Sequence, residues 1–251
     1  MLTRRLDGKA TIFDVTQNTS PFQKFKCSFM STLIAESIML PVTTIKTVYQ
    51  TTKNKSILHT TRNIYQQRGI KGFYRSAFPS VLSQSISTST KFMVYSFVKR
   101  NNGESLFCNV LSSLLAGIVA CSIVHPINVI KQHQERGLSF IERLNVVGPK
   151  LFYRGYTRGL LLSMLLTMSF PIYDCCKKYI DSTPLSAAIA SIIITTLVQP
   201  IDLMKIRGIA AKRGDYKSYR GFHINLMRSV PHFVMTMSFI EHFQNVVSKT
   251  G

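Results

Sequence analysis

Between Phe22 and Val247 the chain alternates long apolar stretches with short polar, basic ones. Ser105 to Ile130 contains no Asp, Glu, Lys or Arg, and neither does Ser182 to Ile201. Both reach the roughly 20 residues that a helix needs to cross a bilayer core. Cys27 to Ile45 carries only Glu36, and Gly159 to Tyr173 carries no charge although it is short. Two further segments are more mixed. Ala77 to Lys99 is rich in serine with apolar residues at helical spacing, which predicts a helix facing partly onto water. A sixth span follows Gly221 and reaches Ile240 to Gln244. Thr51 to Gln67 is polar and predicts a surface helix or loop, while Asn101-Asn102-Gly103 marks a turn. The pattern predicts an all-α protein with six transmembrane helices. Met1 to Ser20 mixes Arg4, Arg5 and Lys9 with Asp7 and Asp14. It lacks the apolar core of a secretory signal and the acid-poor character of a transit peptide, so a disordered tail is expected.

Three of the spans end in related octapeptides. One reads Pro200-Ile201-Asp202-Leu203-Met204-Lys205-Ile206-Arg207, a proline, an acid two residues on, and bases three and five beyond the acid. Pro126-Ile127-Asn128-Val129-Ile130-Lys131-Gln132-His133 and Pro41-Val42-Thr43-Thr44-Ile45-Lys46 repeat it, with Asn128 and Thr43 in place of the acid. A proline inside an apolar helix removes a backbone donor and clashes with the preceding turn, so Pro41, Pro126 and Pro200 are expected to kink their helices. A second element, glycine followed five residues later by Tyr-Arg, ends at Tyr74-Arg75, Tyr153-Arg154 and Tyr219-Arg220. A third follows 20 residues after Ser76 and Gly221, and 19 after Gly155: Ser96 with Lys99, Glu241 with Gln244, and Asp174 with Lys177. The middle copy has therefore lost one residue. Elements in fixed order, three times over, form an internal repeat. Its units run over 21–102, 103–181 and 182–251, each a kinked span, a basic loop and a second span.

Charge sharpens this picture. The net charge is +20, and of 31 Lys and Arg, seven lie from Lys46 to Arg75, six from Lys131 to Arg158 and six from Lys205 to Arg220. Basic loops on one side of alternating spans follow the orientation rule of polytopic membrane proteins. A basic balance also suits nucleic acid, but a soluble nucleic-acid binder leaves uncharged spans of this length unexplained, so no nucleic-acid partner is expected. The cysteines (Cys27, Cys108, Cys121, Cys175 and Cys176) are odd in number and form no CxxC pair, which fits apolar fillers rather than a disulfide framework or a zinc site. No nucleophile–base–acid set or metal-ligand spacing is present, so neither an enzyme nor a cofactor is expected.

The three-copy pattern resembles the mitochondrial carrier family, whose repeat is Pro-x-[Asp/Glu]-x-x-[Lys/Arg]-x-[Lys/Arg], a loop, then [Asp/Glu]-Gly-x4-[aromatic]-[Lys/Arg]-Gly. The resemblance covers about Phe22 to Val247. Only the octapeptide beginning at Pro200 is intact; Arg68, Val147 and Arg213 replace the acid before each glycine, and the loops are short. The chain thus resembles a compact, divergent member, of a kind expected in a virus or parasite. The resemblance implies six helices around a water-filled cavity with pseudo-threefold symmetry. That cavity opens alternately to either side of the inner mitochondrial membrane, in a functional monomer. It implies a matrix gate of Thr43 with Lys46, Asn128 with Lys131 and Asp202 with Lys205, braced by Gln132. With one acid among three bases, at most one ion pair is expected there, and hence an easily opened matrix side. It implies a stronger cytoplasmic gate of Ser96 with Lys99, Asp174 with Lys177 and Glu241 with Gln244. The Tyr-Arg-Gly elements imply cardiolipin sites at Arg75, at Arg154 with Gly155, and at Arg220 with Gly221; the plainer reading is that glycine permits a tight turn.

Charges isolated within spans cost about 2.5–3.5 kcal/mol at mid-bilayer on the insertion scale and therefore usually face a cavity. Glu36, five residues before Pro41, and Arg228, seven after Gly221, are two such charges. Both fall where carriers of the family touch substrate, as do Ser83 and, on the fourth span, Leu162 with Leu161 or Ser163. Lys91 and His232 fall on the same faces by helical spacing. Two plainer readings stand beside these: Glu36 and Arg228 pair with each other, and His232 is a packing residue. Arg228 and Lys91 in an otherwise neutral cavity imply an anionic small-molecule substrate. By the resemblance, the apolar fourth-span contact is closer to the family's nucleotide carriers and implies nucleotides or deoxynucleotides, although Lys205-Ile206-Arg207-Gly208 stands in place of the adenine-nucleotide exchangers' arginine-and-methionine run. A carboxylate or other small anion is the alternative, and so is a carrier scaffold serving as an adaptor without transport.

Overall fold

The computed structural model describes residues 20–51, 56–74, 77–102, 105–135, 144–145, 148–153, 155–210 and 221–250. Residues 1–19 of the expected tail, and Arg75, Arg154 and Arg220, lie outside the described residues, as do the side chains of Gln132 and Lys205. Among the described residues there is no strand. The helices are α1 (Pro21–Thr51), α2 (Ile57–Arg68), α3 (Ala77–Asn102), α4 (Leu106–Glu135), α5 (Tyr156–Thr167), α6 (Ser169–Tyr179), α7 (Thr183–Ala210) and α8 (Phe222–Thr250), with 3-10 turns at Ile70–Tyr74 and Pro149–Tyr153.

α1 opens with a capping box. The Gln23 amide donates to Ser20 Oγ and the Ser20 amide donates to Gln23 Oε1, and Pro21 takes the first helical position, where its missing N–H costs nothing. Pro41, Pro126 and Pro200 each lie inside a helix that continues beyond them. Serine and threonine, abundant in these helices, satisfy their hydroxyls locally. Ser31, Thr32, Thr43 and Thr47 each donate to the carbonyl four residues back, which makes polar side chains tolerable in an apolar setting.

The helices close a ring: α1 packs on α3, α3 on α4, α4 on α5, α5 and α6 on α7, α7 on α8, and α8 returns to α1. Among the described residues four segments are long and apolar enough to cross a membrane, Pro21–Tyr49, Leu106–Lys131, Pro149–Tyr179 and Thr183–Asp202. α3 and α8 complete the ring with more polar sequences. The serine-rich face of α3 turns inward: Ser80, Ser83, Ser85 and Ser89 are all buried. The expected surface segment is an amphipathic helix, α2, followed by the 3-10 turn that docks on α1 where Thr44 Oγ1 donates to the Phe73 carbonyl, 2.7 Å.

The fourth span is broken at Met168, between α5 and α6. The Met168 amide reaches the carbonyls of both Leu165 and Leu166, so the chain tightens there. Pro171 cannot supply the amide that would bond the Thr167 carbonyl. Because a 3-10 turn rises about 2.0 Å per residue against 1.5 Å in an α-helix, tightening recovers some of the length that the missing residue removes. Gly117 lets α4 and α5 approach closely. A Cβ there would sit 2.7 Å from Met164 Cα, and Ser163 Oγ donates across the contact to the Gly117 carbonyl at 2.9 Å. A core cluster lies toward one end of the ring, where Phe170 meets Phe92 edge-on beside Tyr95, Tyr173, Met237 and Ile240.

Candidate functional site

The ring encloses a polar cavity of about 180 Å³, walled by Lys46 and Thr43 of α1, Lys91 of α3, Lys131 of α4, Asp202 of α7 and Arg228 of α8. Leu162 and Leu166 of α5 form an apolar flank. A second hollow shares Lys91, Leu166 and Arg228 with the first and adds His232, Thr236 and Phe233, reaching the aromatic core.

Glu36 is the hub of the charged groups. Its carboxylate is fully buried and is met from three other helices. Ser80 Oγ of α3 donates to Oε1 at 2.8 Å, and Lys131 Nζ of α4 lies 3.7 Å from the same oxygen. From α8, Arg228 Nη2 donates to Oε2 at 3.1 Å, and His232 Nε2 lies 3.2 Å from it. Arg228 Nε also donates to Thr43 Oγ1, 3.3 Å. Buried charges persist only when paired and hydrogen-bonded, and this carboxylate has both kinds of partner. Lys46 Nζ donates to Asp202 Oδ2 at 2.8 Å, an ion pair from α1 to α7.

At the opposite end two ion pairs lie next to the aromatic core. Lys99 Nζ of α3 donates to Asp174 Oδ2 of α6 at 3.0 Å, and Tyr95 Oη donates to the same oxygen at 2.9 Å. Lys177 Nζ of α6 lies 3.7 Å from Glu241 Oε1 of α8. Thr183, at the start of α7, bridges that pair: it accepts from Lys177 and donates to Glu241. Ser96 turns away, donating to the Met93 carbonyl of its own helix at 3.0 Å, and Gln244 is buried.

Most residues singled out from sequence meet at one of these two levels. Glu36, Arg228, Lys91, Leu162, Ser163 and His232 all border the cavities or the hub. Asn128 borders the cavity beside Lys131. Ser83 does not. Expected at the wall, it is buried and donates back to the Ser80 carbonyl at 3.2 Å, and the α3 residue that reaches Glu36 is Ser80. Among the side chains at these levels that the sequence did not single out are Ser80, Cys121, Thr195 and Thr183. For two of them the signal was present. Cys121 stands five residues before Pro126 and Thr195 five before Pro200, the register of Glu36 before Pro41, and both line a hollow. Ser80 and Thr183 carry no such signal, since ubiquitous hydroxyls become informative only once their neighbours are known. Gly155 and Gly221 both adopt positive φ, +79° and +77°, so the turn before α5 and α8 itself requires glycine.

A ring of helices that includes four segments of membrane-spanning length and apolarity, around a charge-lined cavity, is the build of a polytopic membrane transporter. The family profile described as mitochondrial carrier protein matches residues 17–106. A mitochondrial carrier-like protein of Acanthamoeba polyphaga mimivirus is 37% identical over 85% of this chain and 92% of its own. A mitochondrial RNA-splicing protein of Saccharomyces cerevisiae is 26% identical over 66% of this chain and 60% of its own. A mitochondrial substrate carrier family protein of Dictyostelium discoideum is 25% identical over 89% of this chain and 95% of its own. The chain belongs to the mitochondrial carrier family, whose members are multi-pass membrane transporters of small molecules.

Proposed function

We propose that this carrier exchanges an anionic metabolite, a nucleotide or deoxynucleotide, across the inner mitochondrial membrane by alternating access through the central cavity. The observation that carries this reading is the cavity's charge. Four cations, Lys46, Lys91, Lys131 and Arg228, stand against Asp202 on the described wall, with Glu36 behind it. An Arg fork with nearby ammonium groups suits a phosphate or carboxylate, and Leu162 and Leu166 offer an apolar flank for a base.

In this scheme the three tandem units work as one. Thr43, Lys46, Asn128, Lys131, Gln132, Asp202 and Lys205 form the matrix gate, and Ser96, Lys99, Asp174, Lys177, Glu241 and Gln244 the cytoplasmic gate. The Lys46–Asp202 pair supports the first assignment and the Lys99–Asp174 and Lys177–Glu241 pairs the second. Pro41, Pro126 and Pro200 are the flexing points. Arg75, Arg154 and Arg220, with Gly155 and Gly221, hold cardiolipin at helix starts, where exposed amides attract phosphate. The protein acts as a monomer and catalyses no covalent reaction.

The test is uptake by proteoliposomes holding the purified protein, offered labelled nucleotides, deoxynucleotides, carboxylates and amino acids. Saturable exchange of nucleotides, abolished in Arg228→Ala, is expected. Preference for a carboxylate would replace the substrate assignment. Failure to exchange any anion, with Arg228→Ala indistinguishable from wild type, would leave the scaffold as an adaptor.

A further inference from the structure

The octapeptide at Pro41 lacks its acid, yet Lys131 has a carboxylate beside it. That carboxylate is Glu36, seven residues before Thr43. Seven residues are two helical turns, about 10 Å along the axis, on the same face of α1. Arg228 spans the gap, with Nε on Thr43 and Nη2 on Glu36. The negative charge missing from the gate position has a counterpart two turns deeper, on the guanidinium and ammonium that face the cavity.

We infer that Glu36 is a tethered anion: it occupies Arg228 and Lys131, and the translocated anion must displace it. This rests on the reading that the cavity passes anions. Two cations in a low-dielectric ring cannot be abandoned cheaply, because removing one partner of a buried pair leaves the other uncompensated. Opening α1 away from α4 and α8 takes from both cations the carboxylate they share. An incoming dianionic or polyanionic phosphate takes over Arg228 and Lys131, and Glu36 is released with α1. Anion arrival is thereby coupled to loosening of the ring, and movement of the empty carrier is suppressed. Glu36 is a positioning residue and a competitor, rather than a ligand of the cargo.

The experiment is equilibrium binding of labelled inorganic pyrophosphate to the purified full-length protein, with the unfolding temperature recorded without anion. In Glu36→Gln the competitor is gone, so pyrophosphate binds about tenfold tighter, while the anion-free protein unfolds at a lower temperature. Ser80→Ala keeps the charge and removes only the hydroxyl that anchors Oε1, so binding tightens about threefold. Equal or weaker binding by folded Glu36→Gln overturns the inference, and so does absence of pyrophosphate binding by any of the proteins. Should Glu36→Gln fail to fold, Ser80→Ala decides: unchanged or weaker binding overturns it. Tighter binding by these variants, together with no nucleotide uptake by wild type, supports the tethered anion and removes only the nucleotide assignment.

Discussion

Arg228 Nη2 donates to Glu36 Oε2 at 3.1 Å, across 192 residues of sequence, and so helps to join α8 to α1 where the ring closes. One contact thus combines a structural seam with the guanidinium to which the proposed anion would bind. Breaking a buried pair by removing one partner costs about 3–5 kcal/mol. Arg228→Ala is expected to lower the unfolding temperature and to cut anion uptake at least about tenfold. Arg228→Lys, which keeps the charge without the planar fork, should be intermediate in both. Wild-type uptake by a folded Arg228→Ala protein would rule out passage through this cavity.

The Lys46–Asp202 pair is the one ion pair joining octapeptide residues among the described side chains. Asp202→Asn is expected to change exchange rates more than Thr43→Ala, because Thr43 offers Arg228 only a neutral oxygen. A double-mutant cycle with Lys46→Gln should return a coupling of about 0.5–3 kcal/mol. Additive effects would show that the two residues do not act as a pair.

Asp174 Oδ2 receives both Tyr95 and Lys99. Tyr95→Phe removes one hydrogen bond to a charged group, about 1.5–3 kcal/mol, without changing the aromatic packing against Phe170. The expected readout is a lower unfolding temperature, and a smaller effect of the same change in an Asp174→Asn background. An effect of equal size in both backgrounds would assign Tyr95 to packing alone.

Two glycines on touching helices should respond differently to one added methyl group. At Gly117 a Cβ meets the Met164 backbone at 2.7 Å, and backbone cannot rotate away. At Gly159 it meets the His125 ring at 3.3 Å, which a side chain can relieve. Gly117→Ala is expected to destabilise by about 1–3 kcal/mol. Gly159→Ala should be milder in unfolding measurements, although it narrows the cavity wall.

Residue order alone determined a good deal here. Uncharged stretches of membrane-spanning length, three prolines in register and three Tyr-Arg pairs specify six spans and the family, because hydropathy and backbone chemistry are local properties. The same register brought Lys91, Leu162 and Arg228 to the cavity and Glu36 to the buried cluster behind it, and it also marked Cys121 and Thr195. The missing residue of the fourth span was visible as a spacing of 19. How the chain absorbs it, by tightening at Met168 ahead of Pro171, was not, because a deletion can be absorbed at any turn of a helix. Partner choice belonged to tertiary structure. Nothing in the spacing says that Lys131 lies beside Glu36, that Ser80 rather than Ser83 anchors that carboxylate, or that Thr183 bridges Lys177 and Glu241. Ion pairs and hydroxyl bonds depend on distances of a few ångströms between different helices. Those distances exist only once the ring has closed α8 against α1.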